Sequence, residues 1–255
     1  MTFVEHANLP LDVKTVLIGQ RYASYLERPL KDLGIEVELV PENPFVDPRL
    51  SGHVDLSVFH AGDSRIDLAP FLRHAELEAK LKSWGGEIRF LSVQQGERYP
   101  QDAQFNACVV GSFFLYAKHT AATEIVNEMH DVRGATPIIC KQGYTRCSVC
   151  PVTENAIITA DAGIARQVSR YGLDVLLVQA GYVELSGFPY GFLGGAAFKL
   201  SRDTLAFTGS LAGHPDEARV LSFLEEHGIH PVFLTEGPLL NIGGAVPIIE
   251  KDHSP

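Results

Sequence analysis

The sequence predicts one α/β domain over residues 1–255: five repeated units, with cores spanning about 14–249, set about a pseudo-fivefold axis as an α/β propeller. The first strand is expected to pair with the last and close the ring. Three observations lead there. Gly34, Gly85, Gly134, Gly172 and Gly228 each follow an amphipathic stretch and precede a short apolar, β-branched run. After each run the chain doubles back on itself as a hairpin. One strand at each end of the chain is left without a partner, and an open apolar edge of that kind invites aggregation. A doubly wound parallel sheet is the competing reading of strand–helix alternation, but a hairpin after every crossover does not belong to a simple βαβ wind.

In chain order, KTVLIG (14–19) reads as a strand leading into the helix YASYLERPLKDLG (22–34), kinked or shortened by Pro29. IEVELV (35–40) is the apolar run after Gly34. VDLSVF (54–59) and SRIDL (64–68) form a hairpin, FLRHAELEAKLKSWG (71–85) a helix and EIRFL (87–91) the next strand. The pattern returns as DAQFNACVV (102–110), FFLYA (113–117), TAATEIVNEMHDVRG (120–134) and ATPIIC (135–140). It returns again as YTRCSVCPV (144–152), AIITA (156–160), DAGIARQVSRYG (161–172) with Asp161 as N-cap, and LDVLLV (173–178). The fourth hairpin is YGFLGGAAFKL (190–200) with TLAFTG (204–209), followed by HPDEARVLSFLEEHG (214–228) and IHPVFL (229–234). LLNIGGAVPII (239–249) remains as the strand that meets 14–19. Each glycine fits the left-handed residue that closes a helix, where a β-carbon is costly.

This arrangement resembles the pentein superfold of guanidine-modifying enzymes. The phrases KQGYTRCSVCPV (141–152), ENAIITADAGIA (154–165), YGFLGGAAFKL (190–200) and LLNIGGAVPI (239–248) resemble those of an uncharacterised bacterial family of that superfold. The resemblance implies the fold and a cleft on the axis. It also implies a nucleophilic cysteine after a glycine pair in the last unit and a histidine at the head of the fourth hairpin. Here Gly243-Gly244 is followed by Ala245, Val246 and Pro247, and the fourth head reads FLGG (192–195). Ordinary arginine or agmatine deiminase turnover is therefore not expected.

Chemistry is sought in the third unit instead. Aligning the hairpins by strand parity compares Asp55, Asp102 or Asn106, Cys147, Gly194 and Gly243 around the axis. Cys147 is the candidate nucleophile, with Arg146 and Lys141 expected to lower its pKa. Asp55 and Asp102 are candidates for a carboxylate pair holding a cationic guanidinium or amine. Asn106 and the glycine pairs Gly194-Gly195 and Gly243-Gly244 are candidates for binding, since paired glycines in strands mark close backbone approach. His53 and His60 flank Asp55 and read as surface or capped residues, and the general base stays open among ten histidines. Cys147 and Cys150, three apart on a strand, point to opposite faces, so neither a disulfide nor a zinc site is expected. No cofactor and no metal are expected.

Composition bounds the partners. Lys+Arg 21 against Asp+Glu 31 gives a net charge of −10, which disfavours nucleic-acid and anionic-membrane surfaces and favours a cationic small molecule. Hydrophobic residues at 45% and charged residues at 20% exclude a disordered chain. No apolar run approaches the ~18 residues of a membrane span, and the N-terminus lacks a signal-peptide pattern, so a cytoplasmic location is expected. Two readings stand: a divergent hydrolase or transferase of a guanidino- or amine-containing metabolite, and a non-catalytic binder of a ligand or protein. The oligomeric state is left open.

Overall fold

The computed structural model describes residues 2–251, and among these residues sixteen strands form five small sheets. β1 (Thr2–Phe3), β2 (Val13–Gly19) and β3 (Glu36–Val40) belong to the first sheet. β4 (Val58–Gly62), β5 (Arg65–Leu68) and β6 (Glu87–Phe90) make the second, and β7 (Cys108–Val110), β8 (Phe113–Tyr116) and β9 (Thr136–Ile139) the third. β10 (Val149–Thr153), β11 (Ala156–Thr159) and β12 (Asp174–Leu177) make the fourth, and β13 (Ala197–Ser201), β14 (Thr204–Phe207) and β15 (His230–Phe233) the fifth. β16 (Val246–Glu250) returns to the first sheet, between β1 and β2.

Every sheet follows one plan: an antiparallel pair, then a helix, then a strand parallel to its predecessor. The crossover helices are α1 (Ala23–Asp32), α2 (Glu76–Ser83), α3 (Thr123–Asn127), α5 (Ala162–Ser169) and α6 (Glu217–Glu226). Another helical turn, α4 (Thr145–Ser148), stands just before β10. The five glycines after the crossover helices have φ of 76°, 95°, 64°, 81° and 68°. Nothing lies within 4 Å of where their β-carbons would sit, so backbone conformation alone selects glycine there. Asp161 caps α5 by accepting from the backbone N–H of Gly163 and Ile164 at 2.7 and 2.8 Å.

The pairing expected between the N- and C-terminal strands is present: β16 runs antiparallel to β2, with Val246 opposite Leu17. β1, which the sequence reading did not include, pairs with the other edge of β16. The buried Glu250 carboxylate accepts from the backbone N–H of Glu5 at 3.1 Å and of Leu11 at 2.8 Å, tying down the N-terminal segment.

The strands read as unbroken apolar runs because each serves two cores. Val16 and Ile18 of β2 enter one cluster with Phe198 and Ala206 of the fifth sheet, while Leu17 enters another with Ile66 and Leu68 of the second. Phe114 packs with Phe59 of the second sheet, and its neighbour Leu115 packs with Val149 and Ile157 of the fourth. Ile158 and Phe207 join the fourth sheet to the fifth. Alternate residues thus leave opposite faces of each sheet into successive cores.

The hairpin arms are shorter at their starts than expected. Val54–Leu56 is a tight 3-10 turn rather than strand, Thr145–Ser148 is helical, and Leu193–Ala196 is again 3-10. Residues 102–107 and 239–245 also precede their strands, β7 and β16, as turned or bent irregular chain. Apolar residues buried on every side of a turn mimic the continuous run of a buried strand.

Candidate functional site

The five turned segments that precede β4, β7, β10, β13 and β16 carry the functional candidates, and the other four meet the third at Cys147. α4 turns the Cys147 side chain away from β10, so it does not share the strand geometry of Cys150. The latter packs in the core between the fourth and fifth sheets. All four cysteines are free and buried.

The Cys147 thiol donates to Asp55 Oδ2 at 2.8 Å. Asn106 grips the same residue twice: its Oδ1 accepts from the Cys147 backbone N–H at 3.2 Å and its Nδ2 lies 3.6 Å from Sγ. Asn241 Oδ1 stands 4.0 Å from Sγ and accepts from the Gly243 backbone N–H at 3.0 Å. His53, a turn before Asp55, completes the group. One ligand-type atom each from His53, Asp55 and Cys147 lies within 4.8 Å of the others.

Two glycines are required by this crowding. A β-carbon on Gly194 would sit 2.3 Å from the Val149 carbonyl oxygen and 2.6 Å from that of Cys147. Gly243, at φ 75°, would place one 2.7 Å from Asp55 Oδ1. The neighbours Gly195 and Gly244 approach the Asn241 side chain and the Arg146 guanidinium in the same way. These pairs lie in the turns before β13 and β16, not inside strands as expected.

Burial dominates the electrostatics. It raises the Asp55 carboxyl to about 6, against the lowering effects of its hydrogen bond to Cys147 and of nearby Arg146. Burial, and then the charge of Asp55, push the Cys147 thiol well above its ordinary range. The expected depression by Arg146 and Lys141 is therefore overturned. Arg146 does act in the lowering direction, but as a weaker influence. Lys141 does not figure among the groups that shift the thiol. His53 was read as a surface or capped residue, yet it is 3% exposed. Burial and Arg21 lower it to about 3, so the imidazole is neutral at pH 7. The Asn241 backbone nearby acts weakly in the raising direction, and the buried Nε2 has no hydrogen-bond partner.

On one side of Cys147 opens a pocket of about 280 Å³, with His53, Cys147 and Asn241 at its polar end. Leu50, Tyr144, Leu185, Phe188, Tyr190 and Phe192 supply apolar and aromatic walls. On the other side, Asp55, Asn8 and Arg146 border a space of about 20 Å³. The Arg146 guanidinium donates to the Gly194 carbonyl at 2.9 Å and to Asn8 Oδ1 at 3.1 Å.

Asp102 takes a different place from the one expected. Its Oδ2 accepts from the Tyr144 hydroxyl at 2.5 Å, and Tyr144 in turn lines the pocket, so Asp102 supports a wall instead of pairing with Asp55. His60 donates through Nε2 to the Asp63 carbonyl, 2.9 Å away, outside the thiol group. Sequence reasoning missed His53, Asn241 and Tyr144. The available signal was position: each sits in a turn before a strand, as Cys147 does.

The fold defined by these sheets is that of the penteins. A DDAH mutant from Pseudomonas aeruginosa complexed with citrulline aligns at TM-score 0.57 and 10% identity, covering 94% of this chain and 100% of that one. An inosamine-phosphate amidinotransferase from Streptomyces griseus aligns at TM-score 0.55 and 11% identity, covering 98% and 96%. An agmatine deiminase of C. jejuni aligns at TM-score 0.55 and 10% identity, covering 99% and 97%. No curated protein matches the sequence. The chain belongs to the family of unknown function DUF6873, whose model matches residues 17–246. No helix among the described residues is long and apolar enough to cross a membrane.

Proposed function

We propose that the protein is a cysteine-dependent hydrolase or transferase acting on a small guanidino or amidino compound, with Cys147 as nucleophile. The carrying observation is the convergence of thiol, carboxylate and imidazole: Sγ lies 2.8 Å from Asp55 Oδ2, beside His53, at the polar end of an aromatic pocket. The five sheets are read as units about a pseudo-fivefold axis, with the turned segments at one end of it. Cores shared between successive sheets support that arrangement.

The resting thiol is neutral and donates a hydrogen bond to Asp55 Oδ2. A planar cation entering among Tyr144, Phe188 and Phe192 gains from their ring faces and from the Asn241 carbonyl oxygen. Its charge favours the thiolate, and the thiol proton passes to Asp55 Oδ2. Sulfur then attacks the central sp² carbon, forming the C–S bond. The proton on Asp55 passes to the departing amine as the C–N bond breaks. A water, or an amine in a transferase, attacks the same carbon. Neutral His53 Nε2 takes its proton, and the C–S bond breaks to return the thiolate, which that proton restores to the thiol. The structural neighbours that act on guanidino groups support the substrate class through the shared fold.

The test is intact-mass analysis of rapidly quenched mixtures with a panel of guanidino and amidino compounds, arginine and agmatine included. A mass increase mapped to Cys147, with release of ammonia or amine, is expected for a member of the panel other than arginine or agmatine. Cys147→Ala should keep binding that compound while releasing nothing. Calorimetric binding by the wild type with neither adduct nor product would replace this reading with a ligand-binding one.

A further inference from the structure

We propose that His53, Asp55 and Cys147 form a binding site for a borderline-soft divalent cation of the zinc class, and that its occupation silences the thiol. The silencing rests on the nucleophilic role of Cys147; the binding does not.

The three donors come from two separate turns, 53–57 and 144–148. Their ligand-type atoms fall within 4.8 Å of one another, and all three residues are buried. Imidazole nitrogen, carboxylate oxygen and thiolate sulfur are the donors that zinc takes, at about 2.0–2.3 Å in tetrahedral geometry. Two buried atoms of the group lack protein partners: His53 Nε2 and Asp55 Oδ1. An orphaned, buried imidazole nitrogen beside a thiol is costly unless something occupies its lone pair. Asn106 Nδ2, 3.6 Å from Sγ, supplies an outer contact to the sulfur.

Charge also balances. One thiolate and one carboxylate neutralise a dication, and the displaced thiol proton leaves to solvent. His53, Cys147 and Asn241 face the 280 Å³ pocket, so a fourth position opens toward it for water or a ligand. Three protein ligands and one open position leave room for water or a ligand on the metal, unlike closed structural sites. Zinc was not expected from the sequence because Cys147 and Cys150 would diverge on a strand; the ligand set proposed here uses neither Cys150 nor a Cys-x-x-Cys unit.

Chelator-treated protein is titrated with Co²⁺ alone and, in competition, with Zn²⁺ alone. One equivalent should bind with a sulfur-to-cobalt charge-transfer band and tetrahedral d–d absorption. Cys147→Ser should abolish that band. Cys147→Ser and His53→Gln should each weaken binding more than ~100-fold, beyond the loss typical of outer contacts. Cys150→Ser should leave it unchanged. X-ray absorption of the zinc-loaded wild type, which needs no variant to fold, should show one sulfur at about 2.3 Å among lighter ligands. Absence of sulfur from that shell, or cobalt binding indifferent to Cys147→Ser, overturns the site. The two readings separate cleanly. Cobalt bound through sulfur by a protein that forms no adduct with any panel compound keeps this site and removes the nucleophile. Adducts from a protein that binds no cobalt do the reverse. Adducts that form equally with zinc bound would overturn the silencing.

Discussion

His60 shows how a single buried residue sets the acid limit of this fold. It is 5% exposed, with Nε2 at the Asp63 carbonyl and Nδ1 unpartnered, and burial lowers it to about 4. The native state thus holds fewer protons at this ring than the unfolded chain does between pH 6.5 and 4. Stability from the neutral ring is complete above pH 6.5 and declines as pH falls toward 4, by about 3 kcal/mol. His53, lowered to about 3, acts in the same direction, while Asp55, raised to about 6, opposes both below pH 6. His60→Gln should therefore flatten the fall in urea-unfolding free energy between pH 6.5 and 4.5. An unchanged slope would mean that the ring is protonated in the folded state. Cys147 carries the residue-scale lesson from sequence. It was singled out as a candidate by its offset in the third hairpin, whereas its ionisation was not legible. Burial and the opposing charge of Asp55, brought from a distant turn, outweigh the adjacent Arg146.

At the scale of elements, the crossover helix of the third sheet is fastened to the second sheet by charge. Asp67 of β5, fully buried, accepts from Arg89 Nε and Nη2 at 2.7 and 2.6 Å. The turn after α3, Glu128–Val132, widens into a π-helix, and Glu128 there lies 3.4 Å from Arg89 and 3.6 Å from both Arg65 and Arg133. Arg89→Met leaves Asp67 buried with no cation bound to it and should cost about 3–5 kcal/mol in chemical denaturation. Adding Asp67→Leu should recover most of that loss, because the unpaired charge leaves with it. No recovery in the double variant would show that Arg89 acts by packing alone. The crossover glycines, helices and outer strands were legible in the sequence because each obeys a local rule. The turned segments were not. Their apolar residues face cores on several sides, so 53–57 and 144–148 carry the pattern of a buried strand while folding as tight turns.

For the whole molecule, the chain ends meet in one sheet, and Glu250 holds the N-terminal segment through two backbone hydrogen bonds. Glu250→Ala should lower the melting temperature by several degrees, consistent with the loss of about 1–3 kcal/mol per charged hydrogen bond. It should also expose residues 4–12 to faster amide exchange than residues 149–159, and uniform exchange across both would contradict the tie. The same long-range closure brings Gly243 against Asp55 and Asn241 toward Cys147, so the site depends on every sheet but is owned by none. That dependence explains why the sequence indicated Cys147, Asp55, Asn106 and the glycines yet placed Asp102 wrongly and passed over His53. Candidates at comparable offsets were visible, whereas side-chain pairing between distant turns was not. If Cys147 is the proposed nucleophile, a planar cation should switch on its buried thiol. The deciding comparison is alkylation of Cys147 by 2-chloroacetamidine, which carries an amidinium, with that by neutral chloroacetamide. Each rate is normalised to glutathione. A preference for the cation of ~100-fold or more, confined to Cys147 and erased by Asp55→Asn, is the predicted result. Equal normalised rates, or earlier labelling of Cys108, Cys140 or Cys150, would contradict it.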